Sequence, residues 1–153
     1  MKKILMTLAL VFATQMAFCQ SFNDVLNKLN ELPGAQAVTL EKEMLKMAAS
    51  SVPEDAKKTF EKIDKMVMLG IEDASAETQA TFLEQVKTLK NNYNKVAEEQ
   101  EDDQTVFVFA DMDDDGNSKG LIVATAGKDQ CVFVYIDGAI SVDEISQLGD
   151  IMK

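Results

Sequence analysis

The chain has 153 residues and a formal charge of −11, with 26 carboxylates against 15 lysines and no arginine. It contains no histidine, which excludes catalytic machinery built on imidazole and metal sites with histidine ligands. The acidity argues against DNA or RNA as a partner, because neutralisation of phosphates by lysine and arginine dominates that affinity. At 46% apolar and 27% charged residues, the composition is that of an ordinary globular protein.

Residues 1–19 have the pattern of a secretory signal peptide. Two lysines precede an apolar run that is too short to cross a bilayer core of about 30 Å. Ala17 and Cys19 place small residues before a cleavage site in front of Gln20. The alternative is a lipoprotein signal in which Cys19 carries the lipid, and the bulky Phe18 disfavours it.

Cleavage there leaves residues 20–153, which we predict to form one domain in the periplasm or cell envelope, without a transmembrane helix. This mature chain keeps one cysteine, Cys131, so it has no intramolecular disulfide. We expect Cys131 to be a small buried apolar residue, because no histidine is present to activate its thiol. The mature chain is long enough to be stabilised by an apolar core alone.

The first half of the mature chain alternates between helical and extended patterns. Capping residues, Pro-Gly pairs and apolar spacing set the expected boundaries. The predicted elements are, in chain order, a helix that Ser21 caps and Pro33 ends, a strand at residues 35–39, a helix at 41–47, a helix that begins at Pro53 and includes Phe60 and Ile63, and a buried strand at 66–71.

Ser75 begins what the apolar spacing predicts to be the longest helix. Its apolar positions recur at steps of three and four residues, which is typical of one buried helical face. An acidic run at residues 98–103 is predicted to be a solvated connector after this helix. The predicted apolar face consists of Phe82, Val86, Leu89, Tyr93 and Val96.

Strand-like patterns follow at residues 105–110, 120–125 and 131–136. The turns between them are short, which predicts an antiparallel meander. All three runs are apolar on both faces, so we expect either helices on both sides of the sheet or a second face that meets a partner.

A capping box closes the chain, with Ser141 as the N-cap and Glu144 at the third helical position. Ile140 precedes it where a hydrophobic staple would lie. The whole pattern predicts a single α+β domain with a mainly antiparallel sheet of about five strands, packed with helices. The residues of the last helix that we expect to face the core are Val142, Ile145, Leu148 and Ile151.

In this order of elements the mature chain resembles domain-of-unknown-function family 4252, small exported proteins of Bacteroidetes-type bacteria. The resemblance is carried by residues 37–45, by residues 138–145 and by the three closing strands. It implies a cell-envelope location, an α+β fold and no assigned activity, and it supplies no functional residues.

Asp111, Asp113 and Asp115, followed by Gly116, match the opening of an EF-hand calcium loop. The twelfth position is Ile122, where a bidentate glutamate should close such a site. The flanking segments are also predicted strands, not helices. The sequence therefore favours a polar hairpin turn, because aspartate and glycine tolerate positive φ there.

Methionines also suggest two interpretations. They could form an adaptable binding surface or a soft-metal site, but at helical and strand spacing we predict that they fill the core. The methionines concerned are Met44, Met47, Met66 and Met68.

These observations lead us to predict a non-catalytic binding module of the cell envelope, without a cofactor. A carboxylate-pair hydrolase needs no histidine, but the sequence shows no dominant pair of carboxylates on an apolar strand. The alternative function is a calcium response through the loop at residues 111–116, and a protein partner in the envelope is expected. The aromatic residues to test as an interface are Phe107, Phe109, Phe133 and Tyr135, although we expect the core to hold most of them.

Overall fold

The structure, a computed structural model, describes residues 22–141, 143 and 144. This part of the chain holds four α-helices, one 3₁₀ helix and six strands. The helices are α1 (Phe22–Asn30), α2 (Lys42–Ala49), α3 (Glu54–Glu61) and α4 (Ala76–Lys87), with the 3₁₀ helix at Thr88–Asn91. The strands are β1 (Ala35–Glu41), β2 (Ile63–Glu72), β3 (Asn94–Glu101), β4 (Gln104–Met112), β5 (Ser118–Gly127) and β6 (Gln130–Gly138).

All six strands form one antiparallel sheet in the order β1-β2-β6-β5-β4-β3. The predicted α+β class and the closing meander are confirmed, because β4, β5 and β6 pair with one another in sequence order. The sheet has six strands, whereas the sequence predicted about five. The unpredicted strand is β3.

The predicted long helix is wrong at its C-terminal end. The α-helix stops at Lys87, a 3₁₀ turn follows, and Val96 lies in β3 rather than on a helical face. Asparagine is a poor helix former, and Asn91 and Asn92 end the helical segment. Beyond them the chain gains main-chain hydrogen bonds by pairing with β4.

The acidic run predicted as a connector is also corrected, because residues 98–101 belong to β3. This strand is an edge of the sheet, with β4 as its neighbour. Charged side chains on an edge strand discourage pairing with another chain. An acidic run is therefore compatible with an exposed edge strand as well as with a loop.

Other predicted helix starts agree with the structure. The Ser75 Oγ accepts a hydrogen bond from the Thr78 backbone N–H at 3.2 Å, which caps α4.

Ile63, predicted as the end of a helix, instead begins β2, because α3 ends at Glu61.

The predicted capping box is present. The Glu144 N–H donates to Ser141 Oγ at 3.3 Å, and the Ser141 N–H donates to Glu144 Oε2 at 2.9 Å. Ile140 is fully buried beside it. The signal peptide and the predicted core positions Val142, Ile145, Leu148 and Ile151 lie outside the described residues.

Helices α1 and α4 cover one face of the sheet, which we call the helix face. The main core lies between them and the strands, and its largest members are completely buried. They include Leu29 and Phe82 from the helices and Leu69, Phe109, Ile122 and Phe133 from the sheet.

Helices α2 and α3 reach the opposite face, which we call the open face, at one end only. A second, smaller cluster forms there around Leu45 of α2, with Phe60 of α3 packed against it. From the sheet it takes Ile63, Ala110, Leu121 and Ile136. Among the described residues, no helix covers the rest of this face with a comparable cluster.

Candidate functional site: the open face of the sheet

The open face is apolar because the central strands carry apolar residues on both sides. In β6, Cys131 and Phe133 point to the helix face and are fully buried. Val132 and Val134 alternate with them and are only half-buried. Successive side chains of a strand point to opposite faces, so these valines belong to the open face.

Strand register aligns open-face residues into rows that run across the sheet. The apolar row starts at the β1 edge and contains six paired residues, all of them apolar. The outer row lies two residues further along each strand. The apolar row is Val38, Met68, Val134, Val123, Val108 and Ala97, and the outer row is Gln36, Gly70, Val132, Thr125, Val106 and Glu99.

The apolar row is most accessible on β1 and β2. The Val38 side chain is 54% exposed and that of Met68 is 41% exposed. A shallow groove of about 370 Å³ lies beside them, with Gly70 and Gln130 in its lining. Large apolar side chains at these exposures are the ones that a docked partner can remove from water.

Carboxylates flank the apolar row on the side away from α2 and α3. Glu99 ends the outer row on β3, and Glu72 and Glu101 lie on the next row, with Gln104 paired to Glu101. A second groove, of about 170 Å³, is lined by Glu99, Glu101, Gln104 and Val106. None of the residues in these three rows is a lysine, so this end of the open face is negatively charged.

The prediction that the methionines fill the core is correct for one of the four and wrong for the other three. Met66 does pack against the second cluster. Met44 and Met47 of α2, at 52% and 75% exposed, and Met68 are on the surface. Both methionines of the amphipathic α2 are thus exposed, and an adaptable surface is the interpretation that they favour.

The aromatic residues selected from the sequence are not on the open face. Phe107, Phe109 and Phe133 are buried on the helix face, as the core prediction requires. Tyr135 stacks on Phe22 of α1, with ring centroids 4.1 Å apart. The exposed apolar residues of the sheet are instead valines and methionines. Residue type alone does not indicate which apolar residues of a strand are exposed.

Of residues 111–116, Asp111 and Met112 end β4, and the rest belong to a tight hairpin turn that leads to β5 at Ser118. Asp113 Oδ1 accepts hydrogen bonds from the Asn117 N–H at 2.8 Å and the Asp115 N–H at 3.0 Å. These two hydrogen bonds, of which the one from Asn117 has the larger effect, hold the pKa of Asp113 below its ordinary value. Gly116 has a φ of +81°, as the turn prediction expects.

Asp111 lies in β4 with its Oδ1 atom 3.7 Å from the Lys119 Nζ. Asp113 and Asp111 therefore each have a partner within the hairpin, and Asp115 is exposed. Within residues 22–141, 143 and 144, no group of three or more acidic, cysteine or histidine residues is placed to hold a metal ion.

Cys131 is the free cysteine of the described chain, and it is buried under α1 and α4 as predicted. Burial raises the pKa of its thiol. Burial and a raised pKa are typical of a cysteine that packs in a core.

These features define a single-domain α+β protein with a six-stranded antiparallel sheet, one face of which the described helices cover only in part. The family model described as "Domain of unknown function (DUF4252)" matches residues 22–148, and the chain belongs to this family. The resemblance seen in the sequence is thereby confirmed. No curated protein matches the chain. In the described part of the chain, the helices are too short or too polar to cross a membrane.

Proposed function

We propose that the protein is a non-catalytic binding module that docks a partner on its open face. The exposed Val38 and Met68 pair in the apolar row is the observation that carries this proposal. Contiguous apolar surface on a soluble domain costs free energy unless a partner removes it from water. The module acts through this surface rather than through a buried reactive group.

The groove beside Val38 supports a binding role over catalysis. Among the described residues that line it, Glu72 is the one titratable side chain, and it is exposed. General acid–base chemistry needs groups placed within hydrogen-bond reach of a reacting atom and tuned by their surroundings. A shallow groove that combines Val38 and Met68 with glycines, glutamines and one carboxylate fits recognition better than reaction.

A photo-crosslinking residue in place of Met68 tests this proposal in cells that make the protein. We expect covalent capture of a partner at this position, and loss of that capture when Val38→Ser is added. The matched control places the same residue at Glu84, which is also exposed but lies on α4, over the helix face. Equal capture at both positions, or none at Met68, would contradict the proposal.

We further propose that the chain is exported and acts in the periplasm or cell envelope. The signal-peptide pattern of residues 1–19 supports this location. Mass spectrometry of the protein from envelope fractions should find a chain that begins at Gln20. A lipid on Cys19 would instead establish the anchored alternative, and an intact Met1 would contradict export.

A calcium response remains the alternative function. Asp111 lies near the end of β4 and Asp113 and Asp115 lie in the turn that follows, and Asp113 Oδ1 already accepts two backbone hydrogen bonds. A ligand that binds only the folded state raises the melting temperature. A rise with calcium over chelator that Asp113→Asn with Asp115→Asn abolishes would support this alternative, and an unchanged melting temperature would remove it.

A further inference from the structure

We propose that the open face binds an amphipathic helix whose polar side is basic. This inference rests on the proposed function of the open face as a docking surface, and it adds the chemistry of the partner. The argument combines the apolar row, its length, and the carboxylates beside it.

The apolar row matches a helix in length. It crosses six strands, and five spacings of about 4.8 Å give about 24 Å. A helix rises about 1.5 Å per residue, so about 16 residues cover this distance. Apolar residues at helical spacing on such a segment would meet Val38 and Met68 first and then the half-buried valines, of which Val134 and Val108 also pack against the second cluster.

Methionine suits this type of partner. Its unbranched, polarizable side chain adapts to different apolar shapes, and exposed methionines are typical of surfaces that bind helices. Met68 lies in the apolar row, and Met44 is exposed on α2, which packs against the covered end of the same face.

Charge selects the polar side of the partner. Glu72, Glu99 and Glu101 flank the apolar row, and no lysine stands among the residues of the three rows. Lysine or arginine on the helix would lie opposite these carboxylates, and the formal charge of −11 on the chain would speed the encounter.

The same charges disfavour a second copy of the chain as the occupant. A symmetric contact whose two-fold axis runs along the strands would place the three glutamates of one copy near those of the other. Like charges across an interface raise its free energy, whereas a basic helix complements them.

The test uses the purified protein and two labelled 16-residue peptides. Both carry leucines at helical spacing, one with lysines and the other with glutamates at the remaining positions. Fluorescence anisotropy should show binding of the lysine peptide and not of the glutamate peptide. Val38→Ser with Met68→Ser should weaken this binding about tenfold or more, since these side chains supply the exposed apolar contact.

Two matched triple variants test the role of charge. Replacing Glu72, Glu99 and Glu101 by glutamine should weaken the lysine peptide about three- to tenfold at low salt, as expected for exposed ion pairs. The control replaces Glu31, Glu77 and Glu84, which are exposed on or beside α1 and α4, and changes the net charge equally. It should alter the dissociation constant less than about twofold.

The outcomes separate this inference from the proposed function. If the glutamate peptide binds as well as the lysine peptide, and Val38→Ser with Met68→Ser still weakens it, the docking surface stands and the basic partner is wrong. Equal effects of the two triple variants would also overturn the basic partner.

Two other occupants of the open face would contradict the basic helix: residues 145–153 of the same chain, or a second copy of the chain. If neither peptide binds, and a crosslinker in place of Met68 joins to residues 145–153 of the same chain, the chain itself occupies the face and both proposals fall. A dimer in sedimentation that Met68→Ser dissociates would make a second copy the occupant and overturn the basic helix.

Discussion

Val38 and Met68 face each other across the β1–β2 pair, and both side chains are exposed on the side of the sheet away from α1 and α4. Leu69, the next residue after Met68, points to the opposite face and is completely buried. Two consecutive apolar residues of one strand therefore have different physical roles. One contributes to the core and the other to the surface that we propose as an interface.

This difference predicts unequal effects of two truncations. Leu69→Ala should lower the free energy of unfolding by about 2–5 kcal/mol, because it removes buried methyl groups and leaves a cavity. Met68→Ala should lower it by less than about 1 kcal/mol, since an exposed side chain loses little on truncation. Urea denaturation of both variants measures the two values. Equal losses would show that Met68 is covered in solution.

Two glycines offer a second matched comparison. Gly138 has a φ of +156°, and a Cβ atom there would lie 2.3 Å from the Lys62 carbonyl oxygen. Gly138→Ala should therefore lower the free energy of unfolding by about 2 kcal/mol or more, because the backbone between β6 and β2 has to shift.

Gly70 is the control, since it lies in the outer row of the open face. A Cβ atom at Gly70 would meet no heavy atom of the described residues within 4 Å. Gly70→Ala should leave the free energy of unfolding unchanged or raise it by up to about 1 kcal/mol, because alanine restricts the unfolded chain. Thermal or urea unfolding compares the pair, and a loss at Gly70 as large as at Gly138 would contradict an open face.

Local signals explain which parts of the fold could be predicted. The Ser75 cap, the Ser141–Glu144 capping box and the short turns of the meander depend on neighbours within a few residues. Such features can be predicted because a few neighbouring residues determine them, and the structure confirms them.

Strand β3 could not be predicted in this way. Apart from Val96 and Ala97 its residues are polar, and Lys95, Glu98 and Glu99 have no strand-like pattern. The strand exists because β4 offers an unpaired edge to which the segment after Asn92 can bond. Pairing of this kind is a tertiary effect that overrides local propensity.

The open face has a similar cause. The sequence shows that the central strands are apolar on both sides, but not which side the helices cover. Val132 and Phe133 are equally strand-like, and only the position of α1 and α4 makes the phenylalanine core and the valine half-buried. The aromatic residues proposed from the sequence as an interface therefore lie on the helix face and not on the open face.

Alkaline titration provides a third prediction. Burial, together with the carboxylates of Asp137 and Asp111, raises the pKa of Tyr135 from 10.0 to about 12. The fold favours the neutral phenol, so this stabilisation is fully present below pH 10 and is lost as the pH rises from 10 toward 12. The free energy of unfolding should fall across that interval.

Tyrosinate absorbance follows this titration directly, because the chain contains two tyrosines. Burial also raises the pKa of Tyr93, so both should ionise later than in the unfolded chain. In Tyr135→Phe the later half of the absorbance change should disappear while the ring stack on Phe22 is kept. Loss of the earlier part of the absorbance change in that variant, with the later part kept, would refute the assignment to Tyr135.

The hairpin turn supplies the last prediction. Asp113→Ala should lower the melting temperature at neutral pH, because the Asn117 and Asp115 N–H groups lose their shared acceptor. Asp114→Ala, at an exposed position of the same turn, is the control and should change it little. The lowered pKa of Asp113 means that its carboxylate stabilises the fold above its ordinary pKa of 3.8, and that this contribution is lost as the pH falls through the lower folded value.

The difference in melting temperature between the native chain and Asp113→Ala should therefore shrink as the solution is acidified below about pH 4. Differential scanning fluorimetry from neutral pH down to acid, in the presence of chelator, measures this without interference from divalent ions. A difference that stays constant with pH would show that the Asp113 charge plays no part in holding the turn.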